Sequence, residues 1–203
     1  INITPNSIIL EPIGKNTAPS IILAALHAQK INKNAKLLVL SSDHLMKSEN
    51  EFNKGLHKAF ELADKGRIVT FGIRPSSPNT GFGYIESKRP LNFETSEGLD
   101  IKRFIEKPNR SLAEKFVLDK KYSWNSGIFV FNANTVISEM EKFFPEINNC
   151  CRKAWESMQD DLDFQRIDKK VFTDCPSCSI DVAVMEKTKI GSVVPLNIKW
   201  SDI

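Results

Sequence analysis

The sequence has no apolar run long enough to cross a membrane. No stretch of its 203 residues approaches the roughly 20 apolar residues that a membrane-spanning helix needs. The N-terminus also lacks the charged-then-apolar layout of a secretory signal. With 41% hydrophobic and 26% charged residues, the composition is typical of a folded globular domain rather than a disordered chain. We therefore predict a cytoplasmic protein with no membrane partner.

Dense clusters of basic side chains and of metal-binding side chains are also scarce. The net charge of +3 is spread along the chain, without a basic block interleaved with aromatic residues, which argues against a nucleic-acid partner. The four cysteines include a single CxxC stretch, Cys175 to Cys178, and the three histidines lie far upstream of it. A zinc or redox site would need further ligands, so we favour reduced structural thiols.

Helical and strand patterns alternate along most of the chain. Such alternation is typical of α/β folds, in which helices connect parallel strands. We predict one three-layer α/β/α domain over residues 1–203 with a mostly parallel mixed sheet, and a polar linker between residues 158 and 179. The predicted helices cover residues 16–33, 49–65, 110–120, 133–143, 146–158 and 179–187, and the predicted strands cover residues 36–41, 67–73, 84–87, 101–108, 124–133 and two runs within 190–199.

Both ends of the sequence have the character of internal positions. The chain begins at Ile1 without an initiator Met, and it ends at Ile203 directly after an alternating strand pattern. We expect the domain to be truncated at both ends relative to a longer protein.

Two acidic residues follow predicted strands. Asp43 comes after the apolar run LLVL and two serines, and Asp202 comes after VVPLNIKW and one serine. Ligands of open α/β sheets bind beyond the carboxyl ends of strands, and carboxylates are typical ligands of Mg²⁺. Asp43 would equally suit the N-cap of the next helix, and spacing alone does not show that the two acids meet.

Three other segments place polar residues at or inside apolar elements. In FIEKP, Glu106 and Lys107 form either a surface ion pair or a carboxylate for hydroxyl groups beside a cation for a phosphate. In WNSGIFVF, Asn125 and Gly127 form either a bulge or the wall of a pocket. In SIDVAVME, Ser179 or Asp181 stands at the start of a short helix, where it either caps the helix or has a functional role.

The loop EPIGKNTAPS offers more polar groups than a helix entrance requires. Gly14, Lys15, Asn16 and Thr17 stand directly before a predicted helix N-terminus. Free N–H groups and the helix dipole favour anions and polar ligand edges at such a position. The loop is therefore a candidate ligand-binding segment.

These segments occur in an order that resembles a known family. EPIGKNTAPSI, SSDH, GFGYIE, FIEKP, WNSGIFVF, SIDVAVMEK and WSDI are similar to the motifs of mannose-1-phosphate guanylyltransferases, including the bifunctional type II enzymes that also carry a mannose-6-phosphate isomerase domain. The resemblance covers nearly the whole chain. WNSG and FIEKP recur across sugar-phosphate nucleotidyltransferases, whereas EPIGKNTAP and SIDVAVME point more narrowly to the guanylyl branch.

The resemblance implies a Rossmann-like, glycosyltransferase-A-like fold that converts GTP and mannose 1-phosphate to GDP-mannose and pyrophosphate, as used in polysaccharide biosynthesis. It implies Mg²⁺ as the cofactor and leaves His44 with a structural role, because hard Mg²⁺ prefers oxygen ligands. The implied catalytic residues are Asp43, Asp202 and Lys107, the first two of which would hold the metal; the implied nucleotide-binding residues are Pro12, Gly14, Lys15, Asn16 and Thr17, and the implied sugar-binding residues are Gly83, Glu106, Asn125 and Asp181.

The sequence departs from the family pattern in three respects. SSDH stands where relatives often have PSDH. The glycine-rich loop with the Arg and Lys that bind the triphosphate would precede Ile1, so we expect this segment alone to bind GTP poorly. An isomerase domain, a C-terminal metal-dependent β-barrel in bifunctional relatives, would belong to a longer parent protein.

Two alternatives stay open. One is a non-catalytic nucleotide-sugar-binding regulatory protein, and the other is a related pyrophosphorylase that uses another sugar 1-phosphate or nucleotide. The sequence also leaves the oligomeric state open, a homo-oligomer included.

Overall fold

The computed structural model describes residues 4–202, except for the side chain of Asp202. The strands are β1 (Ile8–Leu10), β2 (Lys36–Val39), β3 (His44–Lys47), β4 (Ile68–Ile73), β5 (Tyr84–Ser87), β6 (Leu99–Ile105), β7 (Tyr122–Asn132), β8 (Gln159–Asp161), β9 (Phe164–Arg166), β10 (Gly191–Leu196) and β11 (Lys199–Asp202). The helices are α1 (Thr17–Ile31), α2 (Glu49–Asp64), α3 (Arg110–Leu118), α4 (Ala133–Phe143), α5 (Pro145–Glu156) and α6 (Lys169–Thr173), and a π-helix spans Asp181–Met185.

A six-stranded mixed sheet in the order β2-β7-β4-β10-β6-β5 forms the centre of the domain. Its helices and mixed sheet confirm the predicted α/β class. The expectation of mostly parallel pairing is wrong, because within this sheet the described pairings are antiparallel apart from β4 with β10. The crossover through α2 gives β2 and β4 the same direction, as predicted, but the long strand β7 runs antiparallel between them.

Helices cover both faces of this sheet. Successive residues of β7 point to opposite faces: Phe129 and Phe131 pack in the core with α1, α4 and α5. Ile128 and Val130 belong to the second core, which contains residues of α2 and α3. The three predicted layers are therefore present.

Two smaller sheets lie outside the central one. Strand β1 pairs with β9, which pairs with β8, and β3 pairs with β11. The segment between residues 158 and 179 was predicted to be a polar linker, and this is wrong because it contains β8, β9 and α6. Strand β3 was also missed. The six predicted helices have counterparts whose ends differ by a few residues, the last of them being the π-helix.

No helix within residues 4–202 is both long enough and apolar enough to span a membrane.

Candidate active site

A cleft of about 610 Å³ collects most of the residues that the sequence indicated. It is bordered by the N-terminus of α1, the residues after β2, the start of β5, the end of β6 and the middle of β7. Of the predicted site residues, Gly14, Lys15, Asn16, Thr17, Gly83, Glu106, Asn125 and Asp181 line this cleft, whereas Pro12, Asp43 and Lys107 do not, and the side chain of Asp202 lies outside the described part of the chain.

The N-terminus of α1 is fixed by its own polar residues. Asn16 has a positive φ of 67°, and its Oδ1 accepts a hydrogen bond of 2.8 Å from the N–H of Thr17. The Thr17 hydroxyl oxygen accepts from the N–H of Ile180 at 2.9 Å, and the N–H of Ala18 donates to the carbonyl of Cys178 at 3.0 Å. The loop before α1 is therefore fastened to the segment that leads into the π-helix.

Lys15 and Gly14 differ in what they offer to the cleft. The Lys15 ammonium donates to the carbonyl of Thr173 at 2.6 Å, at the end of α6. No atom lies within 4 Å of the position that a Cβ at Gly14 would occupy. A ligand therefore has room beside Gly14, and a ligand group that binds the Lys15 side chain competes with a backbone carbonyl.

Strand β7 bulges where it passes the cleft. Thr70 of β4 is opposite Phe129, whereas Gly72 is opposite Asn125, so three residues of β7 face one residue of β4. Gly127, within this interval, has a φ of 71°, which glycine adopts more easily than other residues. For this segment the sequence left a bulge and a pocket wall as alternatives. Both are present, because β7 bulges here and the bulged residues line the cleft.

Asn125 joins the buried Thr70 to the partly buried Asp181 at the end of the cleft. Its Oδ1 accepts from the Thr70 hydroxyl at 2.8 Å, and its Nδ2 donates to Asp181 Oδ1 at 2.9 Å. Burial, with a further contribution from the negative charge of Glu106, raises the pKa of Asp181 to about 7. The N-cap position of the π-helix is Ile180, and the Ser179 hydroxyl accepts from the N–H of Val182 at 3.3 Å. The capping interaction expected of Ser179 or Asp181 is therefore made by Ser179.

Glu106 and Lys107 form the ion pair that the sequence suggested, with 3.8 Å between Nζ and Oε1. The Glu106 side chain is 25% exposed and that of Lys107 is 65% exposed, so the carboxylate faces the cleft while the cation is largely solvated. Burial raises the pKa of Glu106, and Lys107 opposes that change. A Cβ at Gly83 would lie 2.7 Å from Glu106 Oε2, so the carboxylate position requires glycine there.

Asp43 lies in the turn between β2 and β3 and does not cap a helix, because α2 begins at Glu49 after Ser48. Strand β3 pairs with β11 in a register that places Asp202 opposite His44. The backbones of Asp43 and Asp202 therefore lie close together. The Asp43 side chain is 59% exposed, and its Oδ1 lies 4.0 Å from His44 Nε2. The described side chains include no group of three or more His, Cys, Asp or Glu that could hold a metal ion.

Aromatic residues that sequence reasoning did not assign to the site also border the cleft. Trp200 contacts His44 and Phe82 edge-on, with ring centroids 5.4 Å and 5.2 Å apart, and Phe82 contacts Trp124 at 5.2 Å. Trp200 lies two positions before Asp202, and His44 lies one position after Asp43. This proximity to the motif aspartates was the sign in the sequence that the two aromatic residues belong to the site. The structural role expected for His44 agrees with these contacts, although the ring also lines the cleft.

Glu11 was likewise not assigned, although it begins the EPIGKNTAP motif. Its Oε1 accepts from the Ser20 hydroxyl at 2.8 Å, and both residues line the cleft. Burial raises the pKa of Glu11, and the bond from Ser20 opposes that change. A third carboxylate, besides Glu106 and Asp181, therefore stands at the α1 end of the cleft.

Comparison with known proteins agrees with this geometry. The chain is 47% identical over 199 residues to a mannose-1-phosphate guanylyltransferase of Salmonella montevideo, and covers 42% of that protein. It is 43% identical over 203 residues to the xanthan biosynthesis protein XanB of Xanthomonas campestris pv. campestris, again covering 42% of the relative. The chain thus spans less than half the length of these curated relatives.

Among solved structures, a crystal structure from Helicobacter pylori described as mannose-6-phosphate isomerase superposes with a TM-score of 0.86 and 39% identity, over 96% of this chain and 74% of that one. The family model for nucleotidyl transferases matches residues 2–203. Because this match extends over almost the entire sequence and agrees with the cleft and its motifs, the chain belongs to the nucleotidyl transferase family.

Proposed function

We propose that the protein containing this chain transfers GMP from GTP to mannose 1-phosphate, giving GDP-mannose and pyrophosphate. The observation that carries the proposal is the composition of one cleft, which combines the polar N-terminus of α1 with Glu106, Asn125 and Asp181. The similarity to curated relatives supports it, since the relative from Salmonella montevideo is named mannose-1-phosphate guanylyltransferase.

The two ends of the cleft suit different substrates. The dipole at a helix N-terminus favours anionic or polar groups, so we assign the nucleotide to the loop at Gly14, Lys15, Asn16 and Thr17, and we include Pro12 in this assignment although it does not line the cleft. Carboxylates accept hydrogen bonds from hydroxyl groups and an amide both donates and accepts, so we assign the sugar to Glu106, Asn125 and Asp181, with Gly83 allowing close approach.

The chemistry of the proposed reaction requires positioning more than covalent participation. A sugar phosphate attacks the α-phosphorus in line, and a protein assists by aligning the groups and by neutralising charge. Lys107 is exposed beside Glu106, where its ammonium is available to the phosphate of a sugar held by that carboxylate.

Nucleotidyltransferases of this kind generally use a divalent metal, and we propose Mg²⁺ for this one. The β3–β11 register, which places Asp202 opposite His44 and next to Asp43, is compatible with a cation shared by the two carboxylates. When bound, Mg²⁺ would neutralise phosphate charge. The remaining oxygen ligands would come from substrate or water, since Mg²⁺ is usually held by one or two carboxylates together with substrate phosphates.

A substrate panel tests the proposal. The protein that contains this chain is incubated with each pair of GTP, ATP, UTP or dTTP and mannose 1-phosphate or glucose 1-phosphate, and pyrophosphate release is measured. We expect the fastest release with GTP and mannose 1-phosphate. Faster release with another pair would indicate a related pyrophosphorylase, and binding of the substrates without release would indicate the regulatory alternative.

The name of the Helicobacter pylori structure raises a second activity. The same preparation is therefore assayed for interconversion of mannose 6-phosphate and fructose 6-phosphate. Isomerisation in addition to pyrophosphate release would indicate a bifunctional protein.

A further inference from the structure

Thr70 is a polar residue in the middle of an otherwise apolar strand. All six residues of β4 are buried, and Thr70 has no exposed surface. It does not line the cleft and therefore does not touch a ligand bound there. A buried hydroxyl group is unfavourable unless it is hydrogen-bonded, so its partners indicate its role.

The Thr70 hydroxyl has two partners. Its Oγ1 lies 2.8 Å from Asn125 Oδ1 and 3.0 Å from the carbonyl oxygen of Ile128. A hydroxyl has a single hydrogen to donate. The Ile128 carbonyl alone would satisfy it, so the closer contact with Asn125 is not required by burial.

The Thr70 hydroxyl donates to one end of the Asn125 amide, and the other end faces Asp181. When Thr70 donates to Oδ1, the Nδ2 group faces Asp181 and donates to its carboxylate, as observed. If the amide were reversed, Oδ1 would face Asp181, which is unfavourable while that carboxylate is charged. The reversed amide would be favoured if Asp181 were protonated, because the acid could then donate to Oδ1.

We propose that Thr70 is a positioning residue, which through its hydroxyl group holds the Asn125 amide with Nδ2 directed to Asp181 and so fixes the hydrogen-bonding pattern presented to the sugar. The inference about the sugar rests on the proposed function. The inference about the amide does not, because it concerns three residues of the protein without ligand.

The proton of Asp181 makes this arrangement sensitive to pH. Asp181 titrates near neutrality because it is buried and faces Glu106, with Glu186 and the Cys178 thiol also nearby. The bond from Asn125 opposes the increase in the Asp181 pKa. Removing the Thr70 hydroxyl would leave Asn125 Oδ1 without its donor, so the amide would no longer be held against Asp181, and the pKa of Asp181 should then increase further.

The variants that test this are Thr70→Val, which keeps the shape of the side chain without its hydroxyl, and Thr70→Ser, which keeps the hydroxyl. The titration of Asp181 is followed by NMR of carbon-13-labelled aspartate in the protein without substrate, with Asp181→Asn used to assign the signal. We expect a higher midpoint in Thr70→Val and a return towards the wild-type midpoint in Thr70→Ser. An unchanged midpoint in a folded Thr70→Val variant would overturn the proposal.

The kinetic measurement uses the same variants. KM is measured separately for mannose 1-phosphate and for GTP, together with kcat and the melting temperature. We expect the KM for mannose 1-phosphate to increase about tenfold or more in Thr70→Val, with little change in the KM for GTP, and to recover in Thr70→Ser. Equal increases in both KM values, or no recovery in Thr70→Ser, would mean that Thr70 acts through packing alone.

Ser192 provides a matched control. It is a buried hydroxyl residue of the neighbouring strand β10 that accepts from Arg67 Nε at 2.8 Å and does not line the cleft. Ser192→Ala should lower the melting temperature and leave the Asp181 midpoint unchanged.

If Thr70→Val is unfolded at the working temperature, the same measurements are made on Thr70→Ala. Absence of turnover in the wild-type protein would contradict the proposed function, while the NMR titration would still decide the role of Thr70.

Discussion

Asp181 combines burial with a nearby like charge, which is unusual for a residue whose role is purely structural. The carboxyl group accepts one hydrogen bond from Asn125, and its pKa is raised to about 7. Strongly shifted pKa values are common at functional sites. The same shift means that the charged Asp181 side chain destabilises the folded state at neutral pH. Its effect on stability and its proposed role in sugar binding can therefore be measured separately.

The first prediction concerns stability and pH. The pKa of Asp181 is near 7 in the folded protein and near its ordinary value of 3.8 in the unfolded chain, so the folded state binds the proton more tightly. The contribution of Asp181 to stability should therefore decrease as pH rises from about 4 to about 7. We expect Asp181→Asn to be more stable than the wild type at pH 8 and to lose that advantage at pH 4, as measured by thermal unfolding. The same difference in melting temperature at both pH values would contradict this.

The second prediction concerns Glu106. If its carboxylate accepts hydrogen bonds from sugar hydroxyls, Glu106→Gln should weaken binding of mannose 1-phosphate by about 1–3 kcal/mol and leave GTP binding nearly unchanged. Isothermal titration of each substrate measures this. Glu114→Gln is the control, since Glu114 forms an exposed pair with Arg110 at 2.9 Å and such pairs contribute little. Wild-type affinity for mannose 1-phosphate in a folded Glu106→Gln variant would remove this residue from the site.

At the scale of elements, the N-terminus of α1 has to be both a helix cap and a ligand contact. The Oδ1 atom of Asn16 caps the helix by accepting a hydrogen bond from the N–H of Thr17. Removing the whole side chain would therefore affect helix stability and ligand binding at the same time. Replacement of an N-cap by Ala costs about 0.5–2 kcal/mol.

The third prediction uses this distinction. Asn16→Asp keeps a capping oxygen but removes the amide N–H donor, whereas Asn16→Ala removes both. If the amide reads the base, the preference for GTP over ATP and dTTP should fall in both variants, while the melting temperature falls mainly in Asn16→Ala. Competition measurements of kcat/KM with each nucleotide check this. An unchanged preference in both variants would show that guanine is recognised elsewhere.

Sequence patterns predicted the elements better than their arrangement. The helices and the long strand β7 carry regular apolar spacing, which depends on local sequence alone. Strand β3 has four residues and pairs with β11, about 150 positions away, so local periodicity could not reveal it. The sequence also did not reveal which strands pair with β7. Sheet order depends on long-range packing, which local patterns do not encode.

The same limit applies to the site. Asn125, Glu106 and Asp181 were identified because polar groups interrupt or end apolar segments, which is visible in the sequence. Thr70 was not identified, because a threonine inside a buried strand is ordinary for β structure. Its significance lies in a contact with a residue 55 positions later in the chain.

At the scale of the whole molecule, the cleft is assembled from separate sheets. Glu106 and Asn125 belong to the end of β6 and to β7 of the central sheet, whereas His44 and Trp200, which also line the cleft, belong to the β3–β11 pair. Trp200 of β11 contacts Phe82, which contacts Trp124 of β7. These aromatic contacts connect the β3–β11 pair to the central sheet and thereby set the position of the backbones of Asp43 and Asp202 relative to the cleft.

The last prediction concerns these two acids. If Asp43 and Asp202 share one Mg²⁺, either substitution by Asn should cost several kcal/mol of transition-state stabilisation, and the double variant should lose about as much as either single one, because groups that act as a unit are not additive. Mg²⁺ with GTP should also raise the melting temperature of the wild-type protein, by an amount that follows from binding to the folded state, and it should do so less in each single variant.

Asp64→Asn is the control for this pair. Asp64 is also a surface aspartate, with a side chain 60% exposed and paired with Lys36 at 2.8 Å, and it does not line the cleft. Turnover and the Mg²⁺-dependent change in melting temperature should be those of the wild type in this variant. Additive losses in the Asp43→Asn/Asp202→Asn double variant would mean that the acids act independently, and near-normal turnover in a folded single variant would exclude that acid as a ligand. The β3–β11 register places the two backbones near each other. Non-additive losses would therefore also assign this pair of strands the role of positioning the two metal ligands.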